Sequence, residues 1–243
     1  MRLSCLTLSY NDEDLIGAVI KNWQGIVEKH LVLHSDKPWH GKEEKPDRTE
    51  EIVKSFPHTE FIRLAWKNEA EQRNWGLARL YDFDYVLIVD SDEFYTRKDQ
   101  KKILEKISDR SRFYDNYDCY RIANVRTYFK TTDYILDPPD THKPVVAVNP
   151  KKILFKEARI PNTDYQILID ATLHHLSYCR SDEKIKSKLE HFEHYNQIKK
   201  DWFEKVWLKW TPEMEDIRAY GHEKSKAKYS PLPEEIKNLI KGR

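Results

Sequence analysis

The chain has 243 residues, with 42 Lys and Arg against 41 Asp and Glu, so its net charge is close to zero. That balance argues against a nucleic-acid partner held by overall charge, and 39% hydrophobic with 34% charged residues fits a globular protein with a charged surface. Six glycines, at 17, 25, 41, 76, 221 and 242, form neither G-x-G-x-x-G nor a Walker loop, which excludes dinucleotide and P-loop sites built on those patterns.

Leu3 to Ser9 reads as a buried strand, and Tyr10-Asn11-Asp12-Glu13 as a turn that caps a helix carrying Leu15, Ile16, Val19, Ile20 and Trp23. Gly25 marks its end. His30 to His34 is a second strand, so the chain opens as strand, helix, strand, the pattern of a parallel sheet. Ser35 to Asp47 is a polar loop in which Trp39 is either a stacking surface for a base or a loop anchor. A helix over Thr49 to Phe56 and a strand over Glu60 to Leu64 follow. Asn68 to Tyr81 is helical, with Arg73 and Asn74 early in it, where a guanidinium and an amide suit a diphosphate or serve as ordinary surface groups.

Tyr85 to Glu93 reads Tyr-Val-Leu-Ile-Val-Asp-Ser-Asp-Glu. The apolar run is a strand covered on both faces, and the acids after it sit at the carboxyl edge, where open α/β sheets bind ligands. Acids this close repel one another, so a cation is expected among them, and oxygen donors favour Mg²⁺ or Mn²⁺. A solvated acidic turn is the plain alternative.

Lys101 to Ile107 is an amphipathic helix, and Asp118 to Tyr128 and Val145 to Phe155 are strands of a mixed part, joined by a loop over Asp133 to His142. A run from Tyr165 to Asp170 leads into Leu173 to Tyr178, which holds His174 and His175. In extended chain only one of two adjacent histidines can face a site. Ser181 to Trp202 is a charged helix with Lys188 and His194 near one side, and a last helix spans Glu234 to Lys241. Cys5, Cys119 and Cys179 form neither a zinc nor a disulfide pattern, and there is no apolar run of spanning length and no leader pattern, so the expected setting is cytoplasmic, without a membrane span.

Taken together, the segments resemble glycosyltransferases of the GT-A fold. Ser9 to Glu13 resembles the family's opening S/T-Y-N-E turn, Gln72 to Leu77 its R-N-x-G-L segment, Val89 to Glu93 its D-x-D, and His175-Leu176-Ser177-Tyr178 with Lys188 and His194 a later W-H-x-S, K and H block. That block is similar to one in bisecting N-acetylglucosaminyltransferase-like enzymes and bacterial relatives. The resemblance implies a Rossmann-like α/β fold with a mixed, mainly parallel central sheet flanked by helices, a catalytic domain over residues 1–195, and a helical C-terminal extension over 196–243. It implies a metal-dependent transfer, of hexosyl or N-acetylhexosaminyl type, from a nucleoside-diphosphate sugar, first of all a UDP-sugar, to a glycan, lipid-linked or other hydroxyl acceptor.

Carried onto this chain, the resemblance puts Mn²⁺ or Mg²⁺ on Asp92 and His175, with His174 as the fallback and Asp90 on the metal or the ribose. It puts Lys188 and His194 near the diphosphate, and Tyr10, Asp36 and Arg73 near the nucleotide. Where relatives carry consecutive acids after the second strand, this chain has His34-Ser35-Asp36. An inverting reaction needs a carboxylate base. Asp164, in an Asn-Thr-Asp turn, is the first choice, with Asp170 and Glu157 behind it. The rival readings are a metal-dependent phosphoesterase or nucleotidyltransferase, which would use the same acids, and a catalytically silent carbohydrate-binding module.

Overall fold

A computed structural model gives the structure of the chain and describes residues 1–109, 117–191, 195–221 and 224–242. The first half alternates strand and helix: β1 (Leu3–Ser9), α1 (Ile16–Trp23), β2 (Lys29–Ser35), α2 (Thr49–Lys54), β3 (Thr59–Leu64), α3 (Glu69–Arg79) and β4 (Tyr85–Ile88). The acidic turn leads from β4 into the short β5 (Glu93–Phe94) and then α4 (Arg97–Ser108). The second half is mostly strands: β6 (Cys119–Phe129), β7 (Tyr134–Asp137), β8 (Val145–Val148), β9 (Phe155–Glu157), β10 (Ile160–Pro161) and β11 (Ile167–Tyr178). It continues through α5 (Asp182–His191), a 3-10 turn (Tyr195–Gln197), a π-helical turn (Phe203–Trp207), β12 (Lys226–Tyr229) and α6 (Glu234–Lys241).

Among the described residues ten strands form one sheet, in the order β12-β7-β6-β8-β4-β1-β2-β3, with β11 pairing β6 and β5. β3, β2, β1 and β4 are parallel; β8 joins β4 and β6 antiparallel. The expected mixed sheet flanked by helices is therefore present. β1, β2 and β4 are almost wholly buried because both faces are covered, whereas β3, at the sheet's edge, is only partly buried. Trp23 and Val19 of α1 and Leu15 just before it pack on one side with Ile103 of α4 and Ile236 of α6. On the other, Ala70 and Leu77 of α3 pack with Leu6, Leu33 and Ile88. Asn68 caps α3, its side chain accepting from the Glu71 amide at 2.9 Å.

Three expected elements come out differently. The loop over Asp133 to His142 contains β7, which pairs with β12, some 90 residues away and invisible to local pattern. Val145 to Phe155 is two strands, parted by a turn in which the Asn149 carbonyl accepts from Lys152 and Ile153. The helix expected over Ser181 to Trp202 is described as α5 to His191; further on, Asp201 takes a φ of 58°, which breaks helical continuity. The C-terminal stretch ends in α6, and it also lays Trp202, Trp207 and Ile217 against Phe129, Leu136 and Ile185.

Candidate active site

A cleft of about 1040 Å³ opens at the carboxyl edge of the parallel strands, lined by the turn after β1, the acidic turn, β11 and α5. The acidic turn is pinned by backbone geometry. The Asp92 carbonyl accepts the Leu176 amide at 2.8 Å, and β5 pairs antiparallel with β11 so that Glu93 stands opposite His175. That pairing brings a histidine from 83 positions later to the acids.

Each carboxylate in the turn is already met by a cation of the chain. Asp90 accepts from Arg73 at 2.8 Å and from Arg159 at 3.2 Å. Glu93 accepts from Arg159 at 2.5 Å and from the Asp90 amide at 3.0 Å. Asp92 Oδ2 accepts from Lys188 at 2.8 Å, with Arg180 at 3.5 Å. Burial opposes ionisation of Asp92, but Lys188, His175 and Arg180 outweigh it and hold the carboxyl well below its usual range. For Asp90 burial is likewise overcome, by Arg73 and Arg159. The counter-charge that clustered acids require is thus supplied in large part from within.

The two histidines divide as strand alternation requires. His175 Nε2 lies 3.2 Å from Asp92 Oδ1; burial works against its protonation, yet Asp92 raises its pKa. His174 turns into the core, 3.1 Å from the Tyr128 hydroxyl, and burial with Arg126 pushes its pKa down to about 4. Among the described residues no three His, Cys, Asp or Glu side chains converge as a closed metal cage. Asp92 and His175 nonetheless fit a divalent cation. Their 3.2 Å separation matches two adjacent ligands of an octahedral shell, about 3 Å apart for bonds of about 2.1 Å, and such ions take few protein ligands when phosphate oxygens complete the shell.

Of the other expected residues, Tyr10 borders the cleft, its hydroxyl accepting from the Glu44 amide at 3.0 Å. Arg73 borders it too, buried, with Nη1 lacking a hydrogen-bond partner among the described residues. Lys188 bridges Asp92 and the Ser177 hydroxyl, 2.8 Å from each. Asp36 is exposed at the end of β2 and does not line the cleft. His194 lies outside the described residues. Glu157 lines the cleft, whereas Asp164 and Asp170 do not. Asp164 is exposed. Asp170 faces outward from β11, its side chain 87% exposed beside Lys102.

Sequence reasoning passed over two arginines. Arg159 joins Asp90 and Glu93 and donates to the carbonyls of Ile88 at 2.6 Å and Val145 at 2.9 Å. Arg180 donates to Asp12 at 2.8 Å and Asp14 at 3.1 Å and so ties the first turn to Asp92. The sequence signal for either was the local clustering of acids, at Asp12 to Asp14 and at Asp90 to Glu93. The loop before α2 closes over one side of the cleft: the Lys42 carbonyl meets His191 Nε2 at 2.7 Å, and Lys184 holds Asp47 at 2.9 Å. Gly41, at φ +78°, permits that approach, because a Cβ there would stand 2.6 Å from the His191 ring.

A mixed α/β sheet with an acidic turn at the carboxyl edge of its central strand, faced by His, Lys and Arg from the following strand and helix, is the architecture of a GT-A-fold glycosyltransferase. A model of the family described as Glycosyl transferase family 2 matches residues 43–181, more than half of the chain. The chain belongs to glycosyl transferase family 2. No curated protein matches it.

Solved structures similar to it are distant. Staphylococcus aureus TarS 1–349 with UDP-GlcNAc is 20% identical, over 53% of this chain and 35% of that one, with a TM-score of 0.36. Glucosyl-3-phosphoglycerate synthase from Mycobacterium tuberculosis with UDP is 17% identical, over 53% and 44%, at 0.34. TarS 1–349 described without a ligand is 14% identical, over 84% and 69%, at 0.43. The chain thus spans less than half the length of the first two, and likenesses this remote carry no argument about activity.

Proposed function

We propose that the chain transfers a hexosyl or N-acetylhexosaminyl group from a nucleoside-diphosphate sugar, a UDP-sugar in the first instance, to a hydroxyl of a glycan, lipid-linked or other acceptor. We read residues 1–195 as its catalytic unit and 196–243 as an extension packed on it. The observation that carries the reading is the meeting of Asp92, His175 and Lys188 at the mouth of β4. Asp92 and His175 would hold Mn²⁺ or Mg²⁺. Such an ion, when bound, supplies Lewis-acid neutralisation of the diphosphate.

The chain's own groups do the rest. Lys188, 2.8 Å from Asp92, is an ammonium beside the place where leaving-group charge develops, and Arg180 adds a buried second charge. Asp90, held in orientation by two arginines, would accept a ribose hydroxyl. Tyr10 and Trp39 line the same cleft and offer aromatic faces to a base. Three free cysteines support a reducing compartment, the cytoplasm. Among the described residues no helix is long and apolar enough to cross a membrane.

Titration calorimetry with UDP and with GDP, each with and without Mn²⁺, tests the reading. UDP should bind in a metal-dependent way, and Asp92→Ala should abolish the metal dependence. UDP binding that is indifferent to both Mn²⁺ and Asp92→Ala would falsify the metal assignment. Release of UDP from UDP-sugars without acceptor separates a transferase from a silent module.

A further inference from the structure

Eight carboxylates line the cleft. Asp12, Glu69, Asp90, Asp92 and Glu93 are committed to arginines, and Glu44 sits beside Tyr10 and His191 under the loop before α2. Of the other two, Glu157 meets no arginine among the described residues, while Asp140 meets one, Arg218, through a carboxylate that stays partly open at the cleft. Glu157 is exposed, and among the described residues no side-chain hydrogen bond or ion pair fixes its carboxylate. Asp140, on the connection from β7 to β8, is held in place: one oxygen accepts the Thr127 hydroxyl at 2.5 Å, and the other accepts from Arg218. Arg218 is itself anchored to the Pro138 carbonyl at 2.5 Å. The Asp140 side chain keeps 31% of its surface open.

Beside the main cleft lies a small polar cavity of about 40 Å³, bounded by Asp140, His175, Ser177 and Tyr220. These residues also line the cleft, so the two spaces adjoin. A space of that size holds one water or one hydroxyl group. It sits between a fixed carboxylate and the histidine that faces Asp92.

We propose that Asp140 is the general base that deprotonates the acceptor hydroxyl, in a transfer that inverts the anomeric centre; this rests on the glycosyl-transfer reading above. The acceptor oxygen forms its bond to the anomeric carbon while its proton passes to an Asp140 oxygen. The bond from that carbon to the diphosphate oxygen breaks, and its electron pair leaves with the nucleoside diphosphate. A base must stand within hydrogen-bond reach of the proton it takes, in a fixed orientation. Thr127 and Arg218 supply that orientation to Asp140, and among the described residues nothing comparable does so for Glu157. Arg218 and Tyr220 come from the C-terminal stretch, which gives residues beyond 195 a part in the acceptor wall.

The test compares the full chain with Asp140→Asn and Glu157→Gln, using UDP affinity by calorimetry with Mn²⁺ and acceptor-free UDP release from UDP-glucose and UDP-GlcNAc. Asp140→Asn should bind UDP within about twofold of the parent yet release it at least ~100-fold more slowly. Sodium azide, a nucleophile with no proton to lose, should restore turnover and give a glycosyl azide of inverted configuration. Glu157→Gln should stay within about threefold of the parent in both. The proposal is overturned if Asp140→Asn keeps its turnover, if it loses UDP binding as well, or if Glu157→Gln takes the large loss. A parent chain that neither binds UDP nor releases it from any sugar nucleotide would refute the transferase reading instead.

Discussion

Arg159→Met would test whether the acidic turn is held together by its internal cations. The Arg159 side chain is 8% exposed and Glu93 3% exposed, with 2.5 Å between them. The guanidinium also reaches Asp90 and the carbonyls of Ile88 and Val145, so it ties the turn after β4 to β8. Methionine fills much of the same volume but leaves a buried carboxylate without its partner. Breaking such a pair costs about 3–5 kcal/mol, and two carbonyls lose a donor in addition. These losses overlap, so we expect about 4 kcal/mol, a large part of the ~5–15 kcal/mol that holds a domain folded.

Urea unfolding followed by tryptophan fluorescence reads this directly, since Trp23, Trp202 and Trp207 are buried. Adding Glu93→Gln to Arg159→Met removes the stranded charge while keeping an acceptor for the Asp90 amide. About 2–3 kcal/mol should return, as the coupling energy of a double-mutant cycle. A cost under 1 kcal/mol for Arg159→Met, or no recovery in the double variant, would mean that water already screens the turn and that the pairing does not hold it.

Two further perturbations address the sheet. His30 is buried, with the Thr7 hydroxyl 2.8 Å from Nε2 and no partner for Nδ1, and burial pushes its pKa down to about 3. The unfolded chain then binds the proton more readily, so this contribution to stability is complete above about pH 6.5 and is lost as pH falls toward 3. Between pH 7 and 5 the loss should be about 2 kcal/mol, at about 1.4 kcal/mol per unit below the unfolded pKa; His30→Gln should flatten the slope by that amount, and an unchanged slope would exonerate the residue. Gly76→Ala should destabilise by about 1–2 kcal/mol in the same denaturation assay. Alanine is the better helix former, but its Cβ would stand 2.6 and 2.7 Å from the Leu6 methyls and 3.0 Å from Leu33; a gain in stability would show that α3 has room against the sheet.

Much of the fold was legible because its cause is local. Buried parallel strands need apolar runs, so β1, β2 and β4 announced themselves, and helices with one apolar stripe did the same for α1 and α4. The acidic turn was legible too, since carboxylates at a strand's end have one geometric consequence. Placement of the base candidates was not. Asp164 was chosen for its turn chemistry and Asp170 for its place in the chain order, but exposure is set by which face of β11 and which loop the sheet turns outward. Asp140 lay in a segment taken for plain loop, and its holders, Thr127 and Arg218, stand 91 positions apart in the chain.

The sequence by itself determined that this chain is an α/β protein with acids at a strand tip and at most one histidine of a pair facing them, because side-chain alternation and burial are properties of each segment alone. Tertiary structure decided which histidine, which arginines neutralise the acids, and where the C-terminal stretch lies. Those are matters of pairing between β5 and β11, between β7 and β12, and between Arg159 or Arg180 and carboxylates some 70 to 170 positions away. No local preference encodes such pairings; they form only when burial brings distant charges into a space too dry to leave them apart.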